Sequence, residues 1–191
     1  MVRSRMRRAL DTLYRTALWG SALCLVAIAL LVGAQLAGRL LDGTLALLHL
    51  PRTDFVILSL NEICGYLLAG ASFLALAGTL KAGAHIRVTL VLAALNERTR
   101  RYLEIWAFGF AAAASGYMTC QLAYFAWVSL RFHEVSAGVI RVPLAYPQAA
   151  MAAGAAILTI ALIDEFIIIL LTRGRPSFRA AEDAITLGKE G

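Results

Sequence analysis

Apolar positions in this chain come in blocks and do not alternate with polar ones. Thr16 to Gly38, Ile63 to Leu80, Ile105 to Leu130 and Val142 to Ile163 each run without an Asp, Glu, Lys or Arg. A helix needs roughly 20 such residues to cross a hydrocarbon core of about 30 Å. Membrane-crossing strands would alternate, and open sheet edges cannot face lipid. The blocks therefore predict an all-α membrane protein, a single membrane domain over residues 1–191. Its four transmembrane helices fall near 14–38, 56–80, 102–130 and 146–171, with a cytoplasmic tail over 173–191. The first block follows Arg3, Arg5, Arg7 and Arg8, as in a signal peptide. It is longer than a signal core of roughly 7–15 residues, so it reads as a retained anchor.

Two shorter segments carry a mixed pattern. Leu40 to Leu50 is leucine-rich but holds Asp42 and His49 and ends at Pro51. It either extends span one or lies in the outer interface. Ile86 to Leu95 sets Val88, Val91, Leu92 and Leu95 at steps of three and four, between Arg87 and the cluster from Arg98 to Arg101. That spacing predicts a short amphipathic helix on the inner surface, between spans two and three. Asn96 is placed to cap span three, with Glu97 facing the positive end of its dipole. From Glu97 to Leu130 that span would measure about 50 Å, so it must project from the bilayer or tilt. Pro147 sits early in span four, where a missing N–H costs little.

Composition agrees with the blocks. The chain is 60% hydrophobic and 16% charged, with mean hydropathy +0.74, against about 45–50% and 25% for soluble domains. Charge adds the topology. Of the 18 basic residues, all but Arg39, Arg52, Arg131 and Arg141 fall in the N-terminal segment, the loop after span two or the C-terminal tail. The positive-inside rule then places both termini and the middle loop in the cytoplasm. The net charge of +6 belongs to loops lying on anionic lipid and does not call for nucleic acid.

Candidate chemistry is sparse. Cys24, Cys64 and Cys120 are far apart inside apolar blocks, where a thiol packs as a small hydrophobe. His49, His85 and His133 lie in or beside loops on opposite sides of the membrane, whereas haem-binding bundles need facing histidines within the spans. No nucleophile, phosphate-loop, zinc or dinucleotide motif is present, so no enzyme activity, cofactor or metal is expected. The acids matter more. Glu62 opens span two, and Asp164 and Glu165 interrupt span four with Phe166 to Leu171 still apolar behind them. Such groups rest among headgroups, pair with a cation on another helix or subunit, or mark an ion path. Ala112 and Gly116, and Ala150 and Gly154, are four apart on alanine-rich helices, a spacing that suits close helix packing.

Two stretches carry a family resemblance. One is NEICGYLLAGASFLALAGTLKAGAHIRVTLV, opened by Glu62 and closed by the Gly-x-His-Ile-Arg-Val block; the other is SAGVIRVPLAYPQAAMAAG, with Ser136, Pro143, Tyr146, Pro147 and Gly154. Together they make the chain resemble, over nearly its whole length, the small four-helix membrane subunit of tripartite ATP-independent periplasmic (TRAP) transporters in the bacterial inner membrane. The resemblance implies a non-catalytic scaffold beside a separate large membrane subunit that carries the substrate and sodium sites. It also implies help in docking a periplasmic substrate-binding protein that captures an organic acid. In KAGAHIRVTL, Gly83 would turn the chain out of span two. His85 and Arg87 would hold the loop to helix ends, lipid headgroups or the large subunit, and Ile86 would seat the surface helix. Two other classes compete: a self-sufficient homo-oligomeric transporter with Glu62 or Asp164 as coupling acid, and a membrane redox protein holding haem or quinone.

Overall fold

The structure is a computed structural model, and it describes residues 2–51, 53, 55–81 and 96–171, with only the backbone of 2–7, 97 and 100. The surface helix expected over 86–95, together with Gly83, His85, Ile86 and Arg87, lies outside the described residues, as does the tail. Among the described residues there are four helices and no strand: α1 (Val2–Leu47), α2 (Leu60–Lys81), α3 (Glu97–Arg131) and α4 (Ala145–Leu171). Three of them, α1, α2 and α4, are long and apolar enough to cross a membrane. α3 is not among these three, because Gly, Ser, Thr, Gln, Tyr and Trp dilute its uncharged stretch.

α1 is one unbroken helix through Leu47, about 69 Å long at 1.5 Å per residue. The leucine-rich segment therefore extends span one. The chain then returns along α1: Phe55 lies against Gly38, and the Asp42 carboxylate accepts hydrogen bonds from the Thr53 N–H (2.7 Å) and hydroxyl (2.5 Å). The C-terminal ends of α1 and α3 both stop on a histidine in the left-handed region, His49 (φ 56°) after α1 and His133 (φ 52°) after α3. In each case the next residue's N–H bonds back five positions, Leu50 to Leu45 and Glu134 to Ser129, the closing bond of a Schellman stop. Asn96 does stand at the N-cap of α3, but its side chain makes no cap hydrogen bond.

The helices form an open row in the order α1, α2, α4, α3. Side-chain contacts fix their directions. Leu18 and Leu74 lie against Gly78 and Gly20, so α1 and α2 are antiparallel. Gly109 and Gly116 face Phe166 and Thr159, so α3 and α4 are antiparallel too. Gly70 faces Ala150, Gly154 faces Phe73 and Leu74, and Lys81 reaches Asp164, so the two central helices run parallel. Each small pair expected from the sequence thus meets a neighbouring helix at one member or both. Gly154 is the tightest, since a Cβ there would lie 2.5 Å from the Phe73 carbonyl carbon. In the α3–α4 contact, the Thr159 hydroxyl meets those of Ser115 (2.8 Å) and Thr119 (3.0 Å). The buried core, Tyr14, Ala77, Leu80, Ala161 and Leu162, sits toward the C-terminal ends of α2 and α4.

Candidate functional site

Two polar clusters stand about 28 Å apart along α2, one at each end of that helix. The one at the C-terminal end gathers three charges. Lys81, the last residue of α2, places its ammonium 2.7 Å from the Asp164 Oδ2 and 3.1 Å from the Glu165 Oε1 on α4. Glu165 is fully buried, while the Lys81 and Asp164 side chains keep about a quarter of their surface. The same ammonium lies 5.5 Å from the centroid of the Tyr14 ring, which α1 supplies and which is itself buried. One cation therefore ties three helices together, through two charge-assisted hydrogen bonds and a cation–π contact. In this geometry Asp164 and Glu165 both pair with a cation on another helix.

Lys81 is a partner the sequence reading did not assign. A signal for it existed. It is the first charge after the second apolar block, Asp164 is the first after the fourth, and two helices running parallel bring the ends of both blocks to the same level. Opposite charges at one depth on two helices are natural partners, because each would otherwise stand alone in a low-dielectric medium.

The second cluster forms around Glu62 in the first turn of α2. Its Oε1 accepts a hydrogen bond from the Tyr66 hydroxyl (2.8 Å), one turn on. Its Oε2 is buried against Gly138, where any Cβ would overlap it. Gly138 belongs to the loop from Phe132 to Leu144, which α3 and α4 hold between them. The loop closes on itself through the Val135–Pro143 bridge and through Ser136, whose hydroxyl accepts from the Val142 N–H and donates to the Ile140 carbonyl, both at 3.2 Å. It is pinned to α2 by the Ile140 N–H, which donates to the Ser59 hydroxyl at 3.0 Å. Ser59 adopts φ 56°, a left-handed conformation at the entry to α2.

The remaining predicted residues occupy different places. Pro143 lies at the foot of this loop, Tyr146 is 73% exposed in the first turn of α4, and Pro147 is half-buried beside it. The structure thus unites Asp164 with Glu165 and joins Glu62 to that loop, but keeps the two sets at opposite ends of the row. Among the described residues no group of three His, Cys, Asp or Glu side chains converges in a way that could hold a metal ion.

The fit of Glu62 against Gly138 gives a first prediction. Gly138→Ala should displace the carboxylate and loosen this loop, so that proteases added to the purified protein cut within residues 132–144. In a Glu62→Ala background the same change should be tolerated, a coupling of about 1 kcal/mol or more between contacting residues. Equal loosening in both backgrounds would show that the contact does not hold the loop.

The family model described as "Tripartite ATP-independent periplasmic transporters, DctQ component" matches residues 28–172. Neither the curated proteins nor the solved structures compared with the chain gave a match.

Proposed function

The chain belongs to the DctQ-component family of TRAP transporters, and from that premise we propose that it is the non-catalytic scaffold of its transporter. It packs beside a large membrane subunit that moves the substrate, and helps dock a periplasmic binding protein during sodium-coupled uptake of an organic acid. Membership makes it a membrane component of a transporter. The proposal adds that α3 is the fourth span and that the chain sits in the inner membrane with both termini in the cytoplasm. The observation that carries the scaffold reading is the Lys81 ion cluster. The acids best placed within a span to carry an ion are engaged by Lys81 and hold helices together. An intramembrane acid used for transport must exchange partners during the cycle, whereas these join α2 to α4 at the core of the row.

Reconstitution tests the proposal. Liposomes holding this chain alone, with a sodium gradient and the binding protein outside, should take up no organic acid. Adding the large subunit should start uptake, and the two membrane chains should co-purify at a fixed ratio. Uptake by the chain alone would replace the scaffold reading with a self-sufficient transporter.

A further inference from the structure

α3 closes one edge of the row, and its outward side has no other part of the described chain against it. That side carries a stripe of rings: Tyr102, Trp106, Phe110, Tyr117, Tyr124 and Trp127 are each more than half exposed. At 100° per residue they fall within one narrow sector of the helix. Trp106 and Phe110 stack, with centroids 5.8 Å apart and planes 2° from parallel. Lipid-facing Tyr and Trp belong at the two headgroup levels. The stripe does not stop there. Tyr117 stands at the centre of the uncharged stretch from Ile105 to Leu130 and is 69% exposed, and Gln121 stands half-buried one turn on. Neither side chain hydrogen-bonds a described residue; the Ser115, Thr119 and Thr159 hydroxyls bond one another on the opposite side of the helix.

We infer that the Tyr117–Gln121 face of α3 is where a transmembrane helix of the large subunit docks, with a polar side chain opposite these two at mid-membrane. The inference rests on the scaffold reading and names the contact surface. Acyl chains cannot satisfy a phenol hydroxyl and a carboxamide, so what covers them offers hydrogen-bonding groups at that depth and is protein. Ala113 and Cys120 lie in the same sector between the rings, and such small side chains let a second helix come close. A second copy fits less well. Two copies with the same topology relate by a two-fold axis along the membrane normal, which sets each ring against the ring of its own height. A different helix can place its bulk in the gaps at Ala113 and Cys120.

The native thiol at Cys120, exposed on this face, provides the test. In a Cys24→Ser/Cys64→Ser background, a short photoactivatable cross-linker on Cys120 is irradiated in native membranes holding the whole transporter. The expected product has the combined mass of this chain and the large subunit. Tyr117→Phe with Gln121→Leu should reduce that product and the co-purified large subunit by up to about ten-fold, roughly three-fold per group. A product of two copies of this chain, or adducts with lipid only, overturns the inference. If the untreated chain still co-purifies with the large subunit in that case, the scaffold reading stands and only the docking face is wrong.

Discussion

Lys81→Met is expected to cost the folded protein about 3 kcal/mol, the lower end of the range for a buried charge that loses its partner. The lower end applies because Lys81 and Asp164 are part-exposed, although Glu165 is fully buried. On the usual scale for a chain of this size, loss of monodisperse detergent-purified protein should shift down by about 6–12 °C. The triple variant Lys81→Met/Asp164→Asn/Glu165→Gln removes all three charges and nearly keeps their volume. It should recover most of the loss, since neutral replacement of a whole buried ion cluster is often close to neutral in energy. The pair of variants also separates structure from transport. A stable triple variant that assembles and still supports uptake fits the scaffold role. A stable triple variant that assembles without uptake would return Asp164 and Glu165 to the ion path. An unshifted Lys81→Met would mean that the cluster does not hold the row.

The second large effect concerns Gly154. The backbone of α2 leaves no room there: a Cβ would approach the Phe73 carbonyl carbon and oxygen at 2.5 and 2.7 Å and the Leu74 nitrogen at 2.8 Å. These atoms belong to a helix backbone, so no rotamer change relieves the overlap. Gly154→Ala should cost about 1–3 kcal/mol, and Gly154→Leu more, as the two central helices are forced apart. The control is Gly33 on α1, where a Cβ would meet nothing within 4 Å. Gly33→Ala should gain up to about 1 kcal/mol from helix propensity. Heat stability of the purified variants measures all three. A Gly154→Leu protein as stable as the parent would show that α2 and α4 do not pack as closely as described.

Much of this was legible in the sequence because it follows from length and period. Uncharged blocks located all four helices, and the leucine run from Leu40 onward continues the first of them. Small residues four apart did fall at helix contacts, since only such spacings let backbones approach. The helix order was not legible. Nothing in the apolar blocks says whether α3 or α4 lies beside α2, because every face is greasy enough for lipid or protein. Pairing across more than 80 residues, as between Lys81 and Asp164, becomes visible only when depth in the membrane is added to charge. The Glu62 cluster was the hardest part. Glu62 could be flagged, but its fit to Gly138 depends on how the loop from Phe132 folds, and that loop is shaped by backbone bonds to Ser59 and Ser136 that carry no periodic signal.

The parallel central pair has a further consequence. Rotation by half a turn about an axis between α2 and α4 exchanges α1 with α3 and α2 with α4 and preserves every direction. The described helices are therefore two hairpins whose order and directions have a two-fold arrangement, although no repeat is visible in their sequences. The seam that joins them includes Gly70 on Ala150, Gly154 on Phe73, the Lys81 ions, and the contacts of Ser59 and Glu62 with the loop from Phe132 to Leu144. Each half could enter the bilayer as its own insertion unit, and the seam alone would decide whether the halves find each other, within one chain or exchanged between two.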